Sequence, residues 1–267
     1  MAVTTVGTSG PDTLTSAGDA VDFSGLGGDD SLVGGPLEDT LGGGQGNDTL
    51  VGNDGADLLD GGAGDDSVNT GLGDDEVFGR AGDDNIGGMA GSDTIFAGQG
   101  DDTIAWNDPD GDLAFGGGGN DLIIGANVAA DTIFGGAGND LIRAFATDPA
   151  AGTAADEIAG GSGDDTILGG DAADTIEGGT GDDVLSGNRG ADVFVFADGP
   201  ATGDDVVNDF ERGGDVVQLV GFGPGFDPLA NLSAAEGGTV LDLGGGDSVF
   251  FLGRGVLEFD AGDFVLV

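Results

Sequence analysis

Gly43-Gly44-Gln45-Gly46-Asn47-Asp48-Thr49-Leu50-Val51 reads Gly-Gly-x-Gly-x-Asp-x-aliphatic-x, and the pattern returns at Gly61-Gly62-Ala63-Gly64-Asp65-Asp66-Ser67-Val68-Asn69. Working outward, the chain divides into twelve nine-residue units from Gly7 to Ala114. After one extra residue, Phe115, and another, Gly125, the division resumes. A seven-residue insertion, Ala144 to Ala150, precedes five more units that end at Val195. Of the twenty units, all have an apolar eighth position, from Leu14, Phe23 and Leu32 to Leu185 and Phe194. The sixth position is Asp in eighteen; the exceptions are Val21 and Gly111. A short fixed period specifies a solenoid, because one unit cannot bury its own apolar side chain and must stack on its neighbours.

Each unit supplies a tight turn and a short strand. Fourth-position glycines such as Gly46, Gly64, Gly73 and Gly82 suit turns that need φ > 0. Neighbouring strand residues face opposite ways, so Leu50, Val68, Ile86 and Ile104 point inward and the seventh and ninth residues outward. Two units make one turn of a flattened helix. Residues eighteen apart then sit on adjacent rungs, about 4.8 Å apart. The expected fold is all-β, a parallel β-roll solenoid over residues 1–195.

This stacking brings carboxylates together. Asp12, Asp30, Asp48, Asp66, Asp84 and Asp102 fall on one edge, and Asp39, Asp57, Asp75 and Asp93 on the other. Asp121, Asp131, Asp140, Asp156, Asp165, Asp174, Asp183 and Asp192 occupy the same position in the later units. Stacked carboxylates repel one another. A hard divalent cation resolves this, since calcium takes roughly 6–8 oxygen ligands from carboxylates and carbonyls. One Asp in a glycine-rich turn is an ordinary turn former. Eighteen in register, each with an apolar residue two positions on, point to about a dozen calcium ions held between successive rungs.

Residues 7–195 resemble the repeat region of RTX (repeat-in-toxin, haemolysin-type) proteins. The resemblance implies a right-handed parallel β-roll that folds on calcium, and export through the type I secretion machinery on an uncleaved carboxy-terminal signal. By position it implies that the sixth-position Asp residues are side-chain ligands. It also implies that turn glycines, among them Gly43, Gly46, Gly61, Gly64, Gly161, Gly163, Gly179 and Gly181, contribute carbonyls. The unit with Pro36 and Leu37 in place of glycine departs from the pattern, as do Ser16–Ser24 and Trp106–Ala114, which lack the sixth-position Asp.

The chain carries 51 acidic residues against 5 basic ones, a net charge of −46. Nucleic acid is excluded as a partner, because no basic patch meets phosphates. A dozen calcium ions offset about half of the charge; without them self-repulsion opposes the compact state. Cysteine and histidine are absent, so neither disulfides nor a Cys/His zinc site can staple the fold. The first seven residues lack the basic and apolar regions of a cleavable signal peptide. No run is long enough to span a membrane. The expected location is secreted, extracellular or at the cell surface.

After Val195 the nine-residue period stops. Residues 196–267 read as longer alternating strands, such as Asp205-Val-Val-Asn-Asp-Phe and Ser248-Val-Phe-Phe-Leu, separated by turns such as Gly244-Gly245-Gly246. A solenoid end needs a cap. The stretch Asp209-Phe210-Glu211-Arg212-Gly213-Gly214-Asp215 and the closing Phe264-Val-Leu-Val resemble the carboxy-terminal region of secreted RTX proteins. Residues 196–267 are therefore read as cap and secretion signal together. Trp106, the one tryptophan, is expected to fill space at the join between blocks. With no His, Lys or Cys, the chain is expected not to be an enzyme. The expected role is a secreted calcium-binding structural protein that assembles into a layer, filament or matrix. The alternative is a monomeric calcium-binding or adhesive module. Ice binding would need flat threonine arrays, and Leu58, Ser67, Glu76 and Asn85 interrupt Thr13, Thr40, Thr49, Thr94 and Thr103. An accessory module of a polysaccharide-modifying enzyme is a further reading.

Overall fold

The computed structural model describes residues 2–88, 90–125, 128–145, 154–199 and 202–267. The chain winds as a parallel β-roll. Successive strands alternate between two facing sheets, of thirteen and fourteen strands. Up to Val216–Val220, each strand pairs in parallel with the strand two before it in sequence: Leu50 stands beside Leu32 and Val68, and Leu41 beside Phe23 and Leu59. The eighteen-residue rung read from the sequence is therefore the rung of the fold.

The strands are longer than the sequence suggested. In the regular turns they run six residues, as in Thr40–Gln45 and Thr49–Asp54, through positions seven to nine and into the next unit's first three. Glycine recurs at the first two of those three positions, as Gly43 and Gly44, though Asn53 and Arg80 also stand at the second with positive φ. The eighth-position side chains Leu41, Leu50, Leu59, Val77, Ile86 and Ile95 meet between the sheets at 3 % exposure or less. Burying each contributes roughly 1.5–3 kcal/mol. A side chain is missing where it would collide: Gly46 has φ 119°, and a Cβ there would strike the Gly28 carbonyl one rung back.

At the amino-terminal end, Val3–Val6 is itself a strand, paired with Val21–Ser24, so the roll begins half a rung before the first nonapeptide. At the other end the sheets continue past Val195. Asp204–Val207 pairs with Val184 and Leu185, and Val216–Val220 pairs with Val193–Ala197. Beyond them Asp247–Leu252 and Phe264–Leu266 add the last parallel strands, and an antiparallel hairpin, Leu232–Ala235 with Gly238–Gly244, closes the second sheet. Phe194, Phe210, Phe251, Phe259 and Phe264 pack together there, with centroids 5.0–6.3 Å apart. The strand Leu232–Ala235 was not foreseen from sequence; it is four residues long, lacks the alternating pattern of large apolar residues and lies at the edge.

One register differs from the sequence reading. That reading placed the extra residue at Phe115 and left Trp106–Ala114 without its aspartate. In the structure Leu113, Ala114 and Phe115 stand beside Thr94, Ile95 and Phe96. Asp112 thus takes the sixth position, and the extra residue lies in the turn before it. The core requires an inward side chain beside Ile95, whereas a turn tolerates one residue more. Residues 146–150 of the insertion lie outside the described residues.

Candidate metal centre

Two rows of aspartates, all buried except the half-buried Asp12 at the start, run the length of the roll, one along each edge. The first holds Asp12, Asp30, Asp48, Asp66, Asp84, Asp102, Asp121, Asp140, Asp165 and Asp183. In each link the backbone N–H of one aspartate donates to Oδ1 of the next, as from Asp48 to Asp66 at 2.7 Å and from Asp66 to Asp84 at 2.7 Å. The second holds Asp39, Asp57, Asp75, Asp93, Asp112, Asp131, Asp156, Asp174 and Asp192, linked in the same way. The rows pass through the irregular joins without a break: Asp140 reaches Asp165 at 2.7 Å and Asp131 reaches Asp156 at 2.8 Å across the insertion.

The structure extends both rows with residues the sequence reading missed. Asp112 accepts from Asp93 N–H at 2.8 Å and restores the rung that seemed vacant at Gly111. Asp205 accepts from Asp183 and Asp215 from Asp192, each at 3.0 Å, so residues beyond the nonapeptides supply the next member of each row. Their signal was present, since Gly203-Asp204-Asp205-Val206-Val207 keeps the second half of the repeat. Four extra residues before it, which break the nine-residue count, hid it. Val21 remains a true gap, and its N–H donates to Asp39 at 2.6 Å.

Whether these rows suit calcium is decided by the second carboxylate oxygen. Oδ2 of Asp48, Asp66, Asp84 and Asp102, and of Asp57, Asp93 and Asp112, is buried with no hydrogen-bond donor. An unpaired buried carboxylate is costly unless a cation meets it. The first-position glycines make room beside it. A Cβ on Gly43 would collide with Asp48 Oδ2 and the Gly61 carbonyl, and one on Gly135 with Asp140 Oδ2 and the Gly160 carbonyl. Carboxylate and carbonyl oxygens therefore converge on a space kept open by glycine, the donor set a hard cation takes. Among the described residues no three carboxylates converge on one point, so a cation between two of them would take its remaining ligands from carbonyls.

Gly43 and Gly61 lie at such cradles, and Gly46, Gly64, Gly163 and Gly181 form the positive-φ turns beside them. Gly161 and Gly179 are placed differently. They sit on the outer face with φ 118° and 115°, and their neighbours Gly160 and Gly178 stand against Asp165 and Asp183 Oδ2. One cradle is filled from within. Trp106 occupies a first position, is 3 % exposed, and donates Nε1–H to Asp131 Oδ2 at 3.3 Å. The sequence expectation that it packs the join holds.

Burial dominates the electrostatics. Desolvation pushes Asp57, Asp66, Asp93, Asp102, Asp140 and Asp165 up to about 7, against the backbone N–H bonds that favour the charged form; neighbouring carboxylates push the same way. Asp112 rises to about 8 for the same reasons. Without a cation the rows thus resist ionisation at neutral pH.

A further ladder lies outside the first row. Fifth-position side chains Asp29, Asn47, Asp65, Asp83, Asp101, Asn120, Asn139, Asp164 and Asp182 each accept from the backbone N–H one rung on, at 2.7–3.1 Å. Among the described residues the opposite edge has one such bond, Ser92 N–H to Asp74. The sequence reading left this position unassigned, though Asp or Asn recurs there every eighteen residues.

The family model of the RTX calcium-binding nonapeptide repeat matches residues 6–41, 42–77, 71–104, 106–142, 126–148, 150–179 and 168–200. The chain belongs to the RTX calcium-binding repeat family. Its repeats bind calcium. Among solved structures it is similar to the extracellular lipase LipA from Serratia marcescens, at 18 % identity and TM-score 0.43, over 93 % of this chain and 45 % of that one. The chain thus spans less than half the length of that lipase. No curated protein is matched. No helix among the described residues is long and apolar enough to cross a membrane.

Proposed function

We propose that the protein is a secreted structural rod that folds when calcium fills both aspartate rows and then assembles end to end into an extracellular layer, filament or matrix. The observation that carries the assembly is the pair of open sheet edges. The outer edge of Val3–Val6 has no strand beyond it among the described residues, and Val3 and Val6 are 49 % and 59 % exposed. An open cleft lined by Val3, Thr5, Val21 and Phe23 lies under it. At the far end Phe264–Leu266 is the edge of the same sheet and exposes Val265 and Leu266. Unpaired edges template another strand. An amino-terminal edge on a carboxy-terminal edge is a heterologous contact, which propagates.

About a dozen or more ions, the sixth-position aspartates as side-chain ligands and export by type I secretion belong to this reading, as does the absence of catalysis. The cation need of the buried Oδ2 atoms supports the first two. Cytosolic free calcium is too low for weak sites, which supports export. Electron microscopy with calcium and with chelator tests the assembly. Strings of rods in calcium alone are expected. Single short rods in calcium at every concentration would leave the monomeric calcium-binding module instead.

A further inference from the structure

The outer face of the thirteen-stranded sheet carries a column of ninth-position rings. Phe78, Phe96, Phe115 and Phe134 stack with centroids 4.9–5.2 Å apart and planes within 3–8°. The two ends of the column differ. At one end the Arg80 guanidinium lies 4.4 Å from the Phe78 centroid and donates to both oxygens of Asp60, at 3.1 and 2.8 Å. At the other, Phe134 stands beside Ala159, and Ala159 beside the exposed Glu177. The next place in the column has a methyl group where a planar group would continue it, with a carboxylate one rung further on.

Charge is absent from this face where it is common elsewhere. The strands Thr94–Gln99, Leu113–Gly118 and Thr132–Ala137 hold no charged residue. On the other sheet, the strands from Ser67–Leu72 to Val184–Asn188 hold no acid and one base, the exposed Arg143. Arg143 makes no ion pair among the described residues, unlike Arg80, Arg189, Arg212 and Arg254. Its strand, Leu141–Arg143, falls in chain order between those of Phe134 and Ala159, so it stands at the height of the gap between them. Ile124 and Leu168 flank it.

We propose that calcium-loaded rods pair side by side, the phenylalanine face of one copy receiving the Arg143 face of a second in the same orientation. Arg143 then continues the column beyond Phe134 and meets Glu177, repeating between copies what Arg80 and Asp60 do within one. Ile124 and Leu168 lie over the groove between the rings and the bare glycines Gly98, Gly117 and Gly136. On the Arg143 side the strands Asn85–Gly87, Thr103–Ala105, Leu122–Ile124 and Leu141–Arg143 are three residues long, so a contact five rungs tall is roughly 10 Å by 24 Å. Both copies together bury about 500 Å², below the ~1,000 Å² of a stable specific contact, so the pairing is weak and concentration-dependent. Unlike faces meet, so the contact also propagates. It uses sheet faces, whereas the end-to-end contact uses sheet edges.

Sedimentation over a concentration series in saturating calcium tests it. The wild type is expected to associate. Arg143→Glu and Glu177→Arg, each folded by circular dichroism, are expected to weaken association about tenfold, and the double variant Arg143→Glu/Glu177→Arg to recover it. Arg254→Glu, the same charge change in the carboxy-terminal region beyond the rungs of this contact, is expected to leave it unaltered. Association of Arg143→Glu equal to the wild type, or an equal loss in Arg254→Glu, overturns the proposal. Electron microscopy separates the two contacts. Single-width strings unaffected by Arg143→Glu sink the side-by-side pairing and leave the end-to-end reading standing; paired short rods do the reverse.

Discussion

Asp66 touches both of its neighbours in the row. Its Oδ1 accepts from Asp48 and its N–H donates to Asp84, while Oδ2 is left for a cation. Asp66→Ala is therefore expected to remove about two ions per chain, because each pair of rungs shares one carboxylate. Equilibrium dialysis with metal analysis reads the number. Asp171→Ala is the contrast: Asp171 pairs at 3.3 Å with an Arg189 whose side chain is 78 % exposed, a pair of little worth. An equal loss in the two variants would overturn the ligand assignment. Trp106 offers a second test. As the one tryptophan, buried at 3 % in the folded roll, it is expected to shift its emission to the blue on adding calcium to chelated protein. Emission unchanged across the calcium transition would mean that this join does not fold with the rest.

At the scale of the edges, the aspartates act as rows. Burial raises the carboxyls from 3.8 to about 7 in Asp57, Asp66, Asp93 and Asp102. A raised carboxyl means the folded chain holds protons more tightly than the unfolded one, so without calcium stability is greatest in acid and falls as pH rises from about 4 to about 7. In chelator, more β structure is thus expected at pH 5 than at pH 8, read by circular dichroism. Calcium must displace those protons, so its midpoint concentration is expected to rise as pH falls through 7. A midpoint independent of pH between 5 and 8 would show that the rows are not the ligands. The faces behave differently. Phe115 stacks on Phe96 and Phe134. Phe115→Ser is expected to lose both stacks, roughly 1–3 kcal/mol, and to lower the melting temperature in calcium while leaving the ion count unaltered.

The whole molecule has a core one aliphatic side chain thick between two sheets. That is too little to offset the ordering of a chain of net charge −46. Folding is expected to require calcium: a coil spectrum in chelator at neutral pH and a β spectrum in millimolar calcium. A full β spectrum in excess chelator at pH 7.5 would contradict it. Cooperativity along the rod follows from nearest-neighbour stacking, since each rung shares its carboxylates and its strands with the next.

The nine-residue period carried the local physics by itself. Glycine where φ must be positive, aspartate at the edge and an aliphatic two residues later specify a rung, and a rung specifies its stacking partner, so the sheets, the inward set from Leu32 to Leu185 and the two rows were legible. Where the period breaks, sequence had no ruler. The extra residue near Phe115 could be put on either side of Asp112, and only pairing of Ala114 with Ile95 decided it. Asp205 and Asp215 joined the rows because sheet pairing carried on past Val195, although the spacing did not. The phenylalanine column and the lone Arg143 also emerged only in three dimensions. Outward positions obey no burial rule, and their meaning depends on which side chains the coil sets one above another and which face they share.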